Sequence, residues 1–243
     1  EMRVGGVAGS TQLGRVTLRD ARVLNSSIVG SSEYSMWIGG MIGSSDNFEI
    51  TQAVFSGSVS GAEYVGGIIG SGSIPVANTG VIARSVSLGS ITASVKRGGG
   101  IAGSLSDSQR LNQNILVKDS YSRATVAGAN EIAGLVGYHR VGRIEHSYFN
   151  GEVQSDGNLV AGIVNRGDGS LLVLGSFFNQ TINGSQSGDD YNQGRSDEQL
   201  REIQTFIDAG WDIRTVKFGE LPETDSTWLH EAGQYPMLRM ELQ

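Results

Sequence analysis

Gly39-Gly40-Met41-Ile42-Gly43 is a pair of glycines, two apolar residues and a closing glycine, and it recurs along the chain. It stands also as Gly5-Gly6-Val7-Ala8-Gly9, Gly66-Gly67-Ile68-Ile69-Gly70 and Gly99-Gly100-Ile101-Ala102-Gly103. It returns in degraded form as Ala133-Gly134-Leu135-Val136-Gly137 and Ala161-Gly162-Ile163-Val164-Asn165. The closing residues are 34, 27, 33, 34 and 28 positions apart. A recurrence at roughly 20–50 residues marks a repeat architecture, whose units bury an apolar face only by stacking on one another.

A second signature follows each step. It reads Ile144-Glu145-His146-Ser147-Tyr148-Phe149-Asn150-Gly151-Glu152-Val153 in the fifth unit, with counterparts at Val117 to Val126, Ile82 to Ile91, Ile50 to Val59 and Val173 to Ile182. The first unit matches it loosely, around Leu18 to Val23. β-Branched and aromatic residues fill these stretches, and Gly, Ser, Asn and Asp separate them, as strands and turns require. Three short strands per unit are expected. The units hold no helical pattern and are shorter than a propeller blade of roughly 40–45 residues. The expected fold is therefore all-β, a parallel β-helix of about six coils.

Stacking of coils about 4.8 Å apart aligns equivalent side chains into ladders. One inward ladder is expected from Val7, Met41, Ile68, Ile101, Leu135 and Ile163, and a second from Val54, Val86, Tyr121, Tyr148 and Phe177. The step glycines are expected to serve the backbone, through positive φ or close approach of neighbouring coils. A phosphate-binding loop is disfavoured, because neither a Lys-Ser/Thr pair nor a helix follows.

Composition narrows the function. The 243 residues include 36 glycines, no cysteine and 18 Lys and Arg against 25 Asp and Glu, for a net charge of −7. The dispersed cations form no stripe for nucleic acid. The absence of cysteine removes disulfides and zinc–thiolate sites. No apolar run approaches the roughly 20 residues of a membrane span, so no membrane insertion is expected. A chain that begins almost at once with the glycine step at Glu1 reads as part of something longer.

The units resemble those of the GLUG-repeat family, through Gly134-Leu135-Val136-Gly137 and the continuation from Ser147-Tyr148 to Gly151-Glu152-Val153. The resemblance covers about residues 4–184, with departures at Ala133, Ala161 and Asn165. It implies a right-handed β-helix from a large secreted or surface-bound bacterial protein. Adhesins are the usual hosts, and secreted IgA-cleaving peptidases carry such repeats outside their catalytic part.

From about residue 186 the period stops. Ser196, with Gln199 three residues on, opens a helical pattern expected over about 196–208, with Leu200, Ile203 and Ile207 on one face and Gly210 as its stop. Residues 1–185 are thus read as β-helix and 186–243 as a small α-containing C-terminal cap. Its helix and tryptophans are expected to lie over the exposed end of the last coil.

No catalytic, cofactor or metal residue is assigned. His146 beside Ser147 invites a serine–base reading, but neighbours in a strand point to opposite faces. The paired positions before the Ser or Ala of the second signature, Arg19-Asp20, Thr51-Gln52, Ala83-Arg84, Lys118-Asp119, Glu145-His146 and Leu174-Gly175, yield no stacked carboxylate pair. Glu145 is expected to pair with Lys118 across coils. The loop acids Asp107, Asp156, Asp168, Asp189 and Asp190 are the remaining candidates for a paired-acid site. The loops Gly167 to Ser170 and Asp189 to Asn192 match no calcium motif. Tyr138-His139-Arg140 is a candidate contact for an anionic glycan.

The expectation is a non-enzymatic binding or structural module of a cell-surface or secreted bacterial adhesin. Its partners would be a host or bacterial receptor or glycan and the upstream part of its own chain. Specificity would lie in the variable corners at 10–15, 72–80 and 105–115. The alternatives are a polysaccharide-processing enzyme on a β-helix and an accessory segment of a secreted peptidase.

Overall fold

The computed structural model describes residues 2–12, 14–31, 34–75, 78–107, 114–166, 170–184, 191–217 and 225–242. They form an all-β solenoid of about five turns. One six-stranded sheet collects Ala8–Thr11, Ile42–Ser45, Ile69–Ile74, Ala102–Asp107, Val136–His139 and Val164–Arg166. A second six-stranded sheet collects Val16–Arg19, Phe48–Thr51, Gly80–Ala83, Ile115–Lys118, Gly142–Glu145 and Leu171–Leu174. The third sheet has longer strands, such as Val54–Gly66 and Val86–Gly99, which run from the second signature into the next glycine step. Pairing between coils is parallel throughout.

The glycine steps set the register. Val7 N–H donates to the Met41 carbonyl, Met41 to Ile68, Ile68 to Ile101, Ile101 to Leu135 and Leu135 to Ile163, at 2.8–3.1 Å. Those five bonds reproduce the spacing of the sequence repeat. Met41, Ile68, Ile101, Leu135 and Ile163 are fully buried in one continuous core, as expected of the first ladder, whereas Val7, expected to begin it, is 53% exposed on the first coil.

The second ladder is in register but faces the other way. Val54, Val86, Tyr121, Tyr148 and Phe177 pair in turn, yet they pack outside the coil interior against Leu200, Phe206, Trp211 and Trp228. The next residues along, Phe55, Phe149 and Phe178, are the ones that enter the core. Alternation along a strand forces this split, since adjacent side chains take opposite faces.

The inward rings explain the step glycines. A Cβ on Gly40, Gly134 or Gly162 would overlap the ring of Phe55, Phe149 or Phe178, and on Gly67 or Gly100 the hydroxyl of Ser87 or Ser122. None of these glycines has positive φ. Close approach, not a left-handed backbone, is what they provide.

Gln193–Arg195 pair in parallel with Phe177–Asn179 on the last coil, and from Leu200 onwards the C-terminal residues lie along the flank of the solenoid. Trp211 Nε1 donates to the Gly175 carbonyl (2.7 Å), Tyr148 to the Pro236 carbonyl (2.7 Å), Tyr121 to Glu241 (2.7 Å) and Arg22 to the Met240 carbonyl (3.3 Å). The segment is thus a strap over the outward aromatic ladder, with Tyr121 and Tyr148 stacked at 4.9 Å beneath it. Its small sheet joins Ile213–Thr215, Trp228–His230 and Met237–Leu238.

Ser196 and Gln199 exchange the expected reciprocal capping bonds, at 3.2 and 3.0 Å. The helix they open is broken at Glu202, which is extended, into a single turn at Gln199–Arg201 and a helix at Ile203–Asp208. The break rotates the apolar face, so Phe206 is buried and Ile207 exposed. Gly210, at φ 80°, ends the helix as expected. A further helix, Gln180–Asn183, stands where the last unit's third strand was expected.

Candidate functional site

Each coil turns through left-handed corners, and these carry the side chains that do not repeat. Asp20, Gln52, Arg84, Asp119, His146 and Gly175 occupy one equivalent position, with φ between 45° and 56°. Such a backbone costs a non-glycine residue roughly 1–2 kcal/mol, an expense that the strand pairs on either side offset. Immediately after this corner runs a buried serine ladder. Ser120 N–H donates to Ser147 Oγ (3.2 Å) and Ser147 N–H to Ser176 Oγ (3.1 Å), while Ser147 Oγ donates to the Glu145 carbonyl (2.8 Å). Ser85 and Ser120 repeat the arrangement. Ser147 therefore bridges coils where the corner interrupts the backbone ladder, and its hydroxyl is engaged away from His146.

This first corner row meets the strap. Trp228 Nε1 donates to Asp119 Oδ1 at 3.2 Å, and His146 Nδ1 lies 3.9 Å from the same oxygen. Burial raises the Asp119 pKa, an effect opposed by the Trp228 bond and by Lys118, His146 and Arg84. Burial also pushes the Tyr148 hydroxyl up to about 12, so it stays a donor to Pro236 at any physiological pH. The row seats the strap.

A second corner row faces outward on the opposite side of the glycine step. Trp37, Tyr64, Arg97 and Glu131 hold equivalent positions, with φ between 52° and 64°. Trp37 and Tyr64 stack at 5.9 Å, the Arg3 guanidinium sits 4.7 Å from the indole, and Arg97 lies over both Tyr64 (5.1 Å) and Tyr138 (4.2 Å). Arg97 also pairs with Glu131 at 2.6 Å. Beside Trp37 an open groove of about 120 Å3 crosses the first three coils, with Ser44, Ser71, Ser73 and Asp46 in its walls.

The other candidates are dispersed. His139 is fully buried, so only Tyr138 and Arg140 of its trio remain partly exposed. Burial lowers the His139 pKa to about 4, partly opposed by the Leu105 backbone, although neither ring nitrogen makes a geometrically sound hydrogen bond. His230 is buried with Nε2 2.8 Å from the Arg201 carbonyl oxygen. Glu145 pairs with Arg143 at 3.1 Å on its own strand instead of with Lys118, its cross-coil neighbour. Asp156 lines an open groove with Asn130 and Asn158.

Glu1, Asp168, Asp189, Asp190, the Asp107 side chain and residues 108–113 of the third variable corner lie outside the described residues. Among the described residues no group of three His, Asp or Glu side chains could hold a metal ion, and no helix is long and apolar enough to cross a membrane. The corner rows escaped the sequence reading, because Trp, Arg and Gln are not left-handed residues by preference. Gly175 and the two aspartates at the first corner were the available signal.

No described protein family matches the chain, and no solved structure matches it. It is similar to a protein of Evansella cellulosilytica named as a Gly-rich membrane protein, with 28% identity over 132 residues. The match takes in 51% of this chain and 14% of the relative, so the chain spans a small part of the length of the curated relative it matches.

Proposed function

We propose that the chain is a binding or structural module of a bacterial surface or secreted adhesin, a right-handed, GLUG-like β-helix of about six coils. The division of labour between residues carries this reading. The repeated residues are consumed by the interior and by close backbone approach, while the non-repeating ones form outward rows about 4.8 Å apart. A rigid rod with ordered rows of side chains is suited to attachment, and repeat arrays commonly bind along such surfaces. On this reading the C-terminal cap has two parts, Asn192 with Gln193–Arg195 at the coil end and the strap along the apolar flank. A relative named as a membrane protein is in keeping with a place at the cell surface.

The protein acts, on this reading, without catalysis, through a receptor or glycan on another cell. A screen of the purified chain against glycans and whole bacterial and host cells, with and without calcium, tests it. Saturable binding without product release is expected. Release of reducing ends from any polysaccharide would replace this reading with a glycan-processing enzyme.

A further inference from the structure

The groove beside Trp37 is built from residues that differ between coils. Thr11 and Gln12 come from one variable corner, Ser73 from another, and Asp46 from the coil between them. Its walls offer the hydroxyls of Ser44, Ser71 and Ser73 and the amide of Gln12, groups that both donate and accept hydrogen bonds. Asp46 Oδ1 is buried and has no donor from the protein. A buried carboxylate oxygen of this kind is satisfied by an O–H or N–H brought to it.

Charge narrows the class of ligand. Asp46 opposes an anion, and Arg3, at the same groove, opposes a cation. The neighbouring charges are already matched, Lys96 with Glu63 at 3.3 Å and Arg97 with Glu131 at 2.6 Å. A neutral, hydroxyl-rich molecule meets neither penalty. Arg3 and Tyr64 flank the Trp37 ring, so its rim borders the groove as a packing surface and not as a stacking face. Trp37 holds this place at φ 59°, a conformation a bulky residue rarely adopts.

Ser44 is half-buried at the groove, and Ser71 and Ser104, in register with it on the next two coils, are buried, so the site takes one sugar and not a row of them. We propose that the groove binds the end of a neutral glycan, with one hexose at Trp37 and Asp46. This deepens the attachment reading above and rests on it.

Isothermal titration of the whole chain with neutral glucan, mannan and galactan oligosaccharides, and with polygalacturonate as a charged probe, tests the assignment. Saturable binding of at least one neutral glycan is expected. Asp46→Ala and Trp37→Gly, the latter compatible with positive φ, should each weaken it about tenfold or more, with circular dichroism unchanged. Asn158→Ala, in the other groove, should not. Ser73→Val, at an exposed side chain, keeps the test open if Asp46→Ala fails to fold. Equal binding by wild type and groove variants would overturn the site and leave the attachment reading standing. Binding to cells or to polygalacturonate alone would overturn the neutral class. Failure to bind any cell or glycan would remove the attachment reading itself, and the groove assignment with it.

Discussion

The first and last described coils are bounded differently. At the C-terminal end, Asn192 Oδ1 accepts the N–H groups of Ile163 (2.7 Å) and Val164 (3.0 Å), while its Nδ2 donates to the Val164 carbonyl (3.0 Å). Asn183 does the same for Val153 N–H (2.9 Å) and the Gly151 carbonyl (3.0 Å). A carboxamide copies the donor and acceptor of a peptide group, so two side chains stand in for a further coil. Among the described residues the first-coil strands pair on one side only, and Val7, Leu24 and Val29 are 53%, 50% and 55% exposed. At the last coil it is side chains from outside the repeat that complete the backbone bonding. Because array stability sums over neighbouring units, the first coil has one supporting interface where inner coils have two.

The largest test of this contrast compares matched truncations. Ile163→Ala, in the core near the C-terminal end, should cost about 4–5 kcal/mol in chemical denaturation, and Ile28→Ala in the first coil about 2 kcal/mol. Equal losses would erase the difference between the ends.

Acid should act on the better-finished half. His139 is held neutral in the fold, its pKa lowered from 6.5 to about 4 by burial. Between those values the unfolded chain binds more protons than the folded one. Its contribution is therefore complete above about pH 6.5 and lost as pH falls, by about 3 kcal/mol near pH 4. His139→Leu should flatten that part of the stability–pH curve, since Leu105 already occupies the same register position one coil earlier.

Asn192→Ala should cost about 1–3 kcal/mol by leaving buried backbone groups unpaired. Hydrogen exchange at Ile163 and Val164 should then rise towards that of the first coil. Unchanged protection there would show that the end does not depend on the amide. The smallest effect is expected from Asp119→Asn, which keeps an acceptor for Trp228 and removes a buried charge. Because the Asp119 pKa is raised, its charge costs stability as pH rises through the folded pKa. The variant should match or exceed wild type at neutral pH by less than about 1 kcal/mol.

The spacing of the glycine steps gave the coil lengths, since one residue per coil at a crowded turn leaves a trace that drift cannot erase. The direction of the second ladder was not legible. Tyr148-Phe149 and Phe177-Phe178 put large rings at both of two adjacent positions, and alternation then cannot say which ring is inside. The strap that buries the outer ring is held by contacts over a hundred residues apart in sequence, such as Trp228 with Asp119. The Trp37 groove was half legible. Two of its borders are corners that vary in length, but Trp37 and Asp46 join them only when coils stack.

The strap runs back along the rod, from Gly175 at one end to Arg22 and Met240 near the other. Residues 2–5 and 239–242 therefore emerge towards the same end. A pull applied between them would not stretch the coils in series. It would peel the strap from its Met240 contact and unwind the first coil, one bond at a time, while later coils stayed unstrained. To a force the rod is a hairpin, and its resistance resides in the seam between strap and flank.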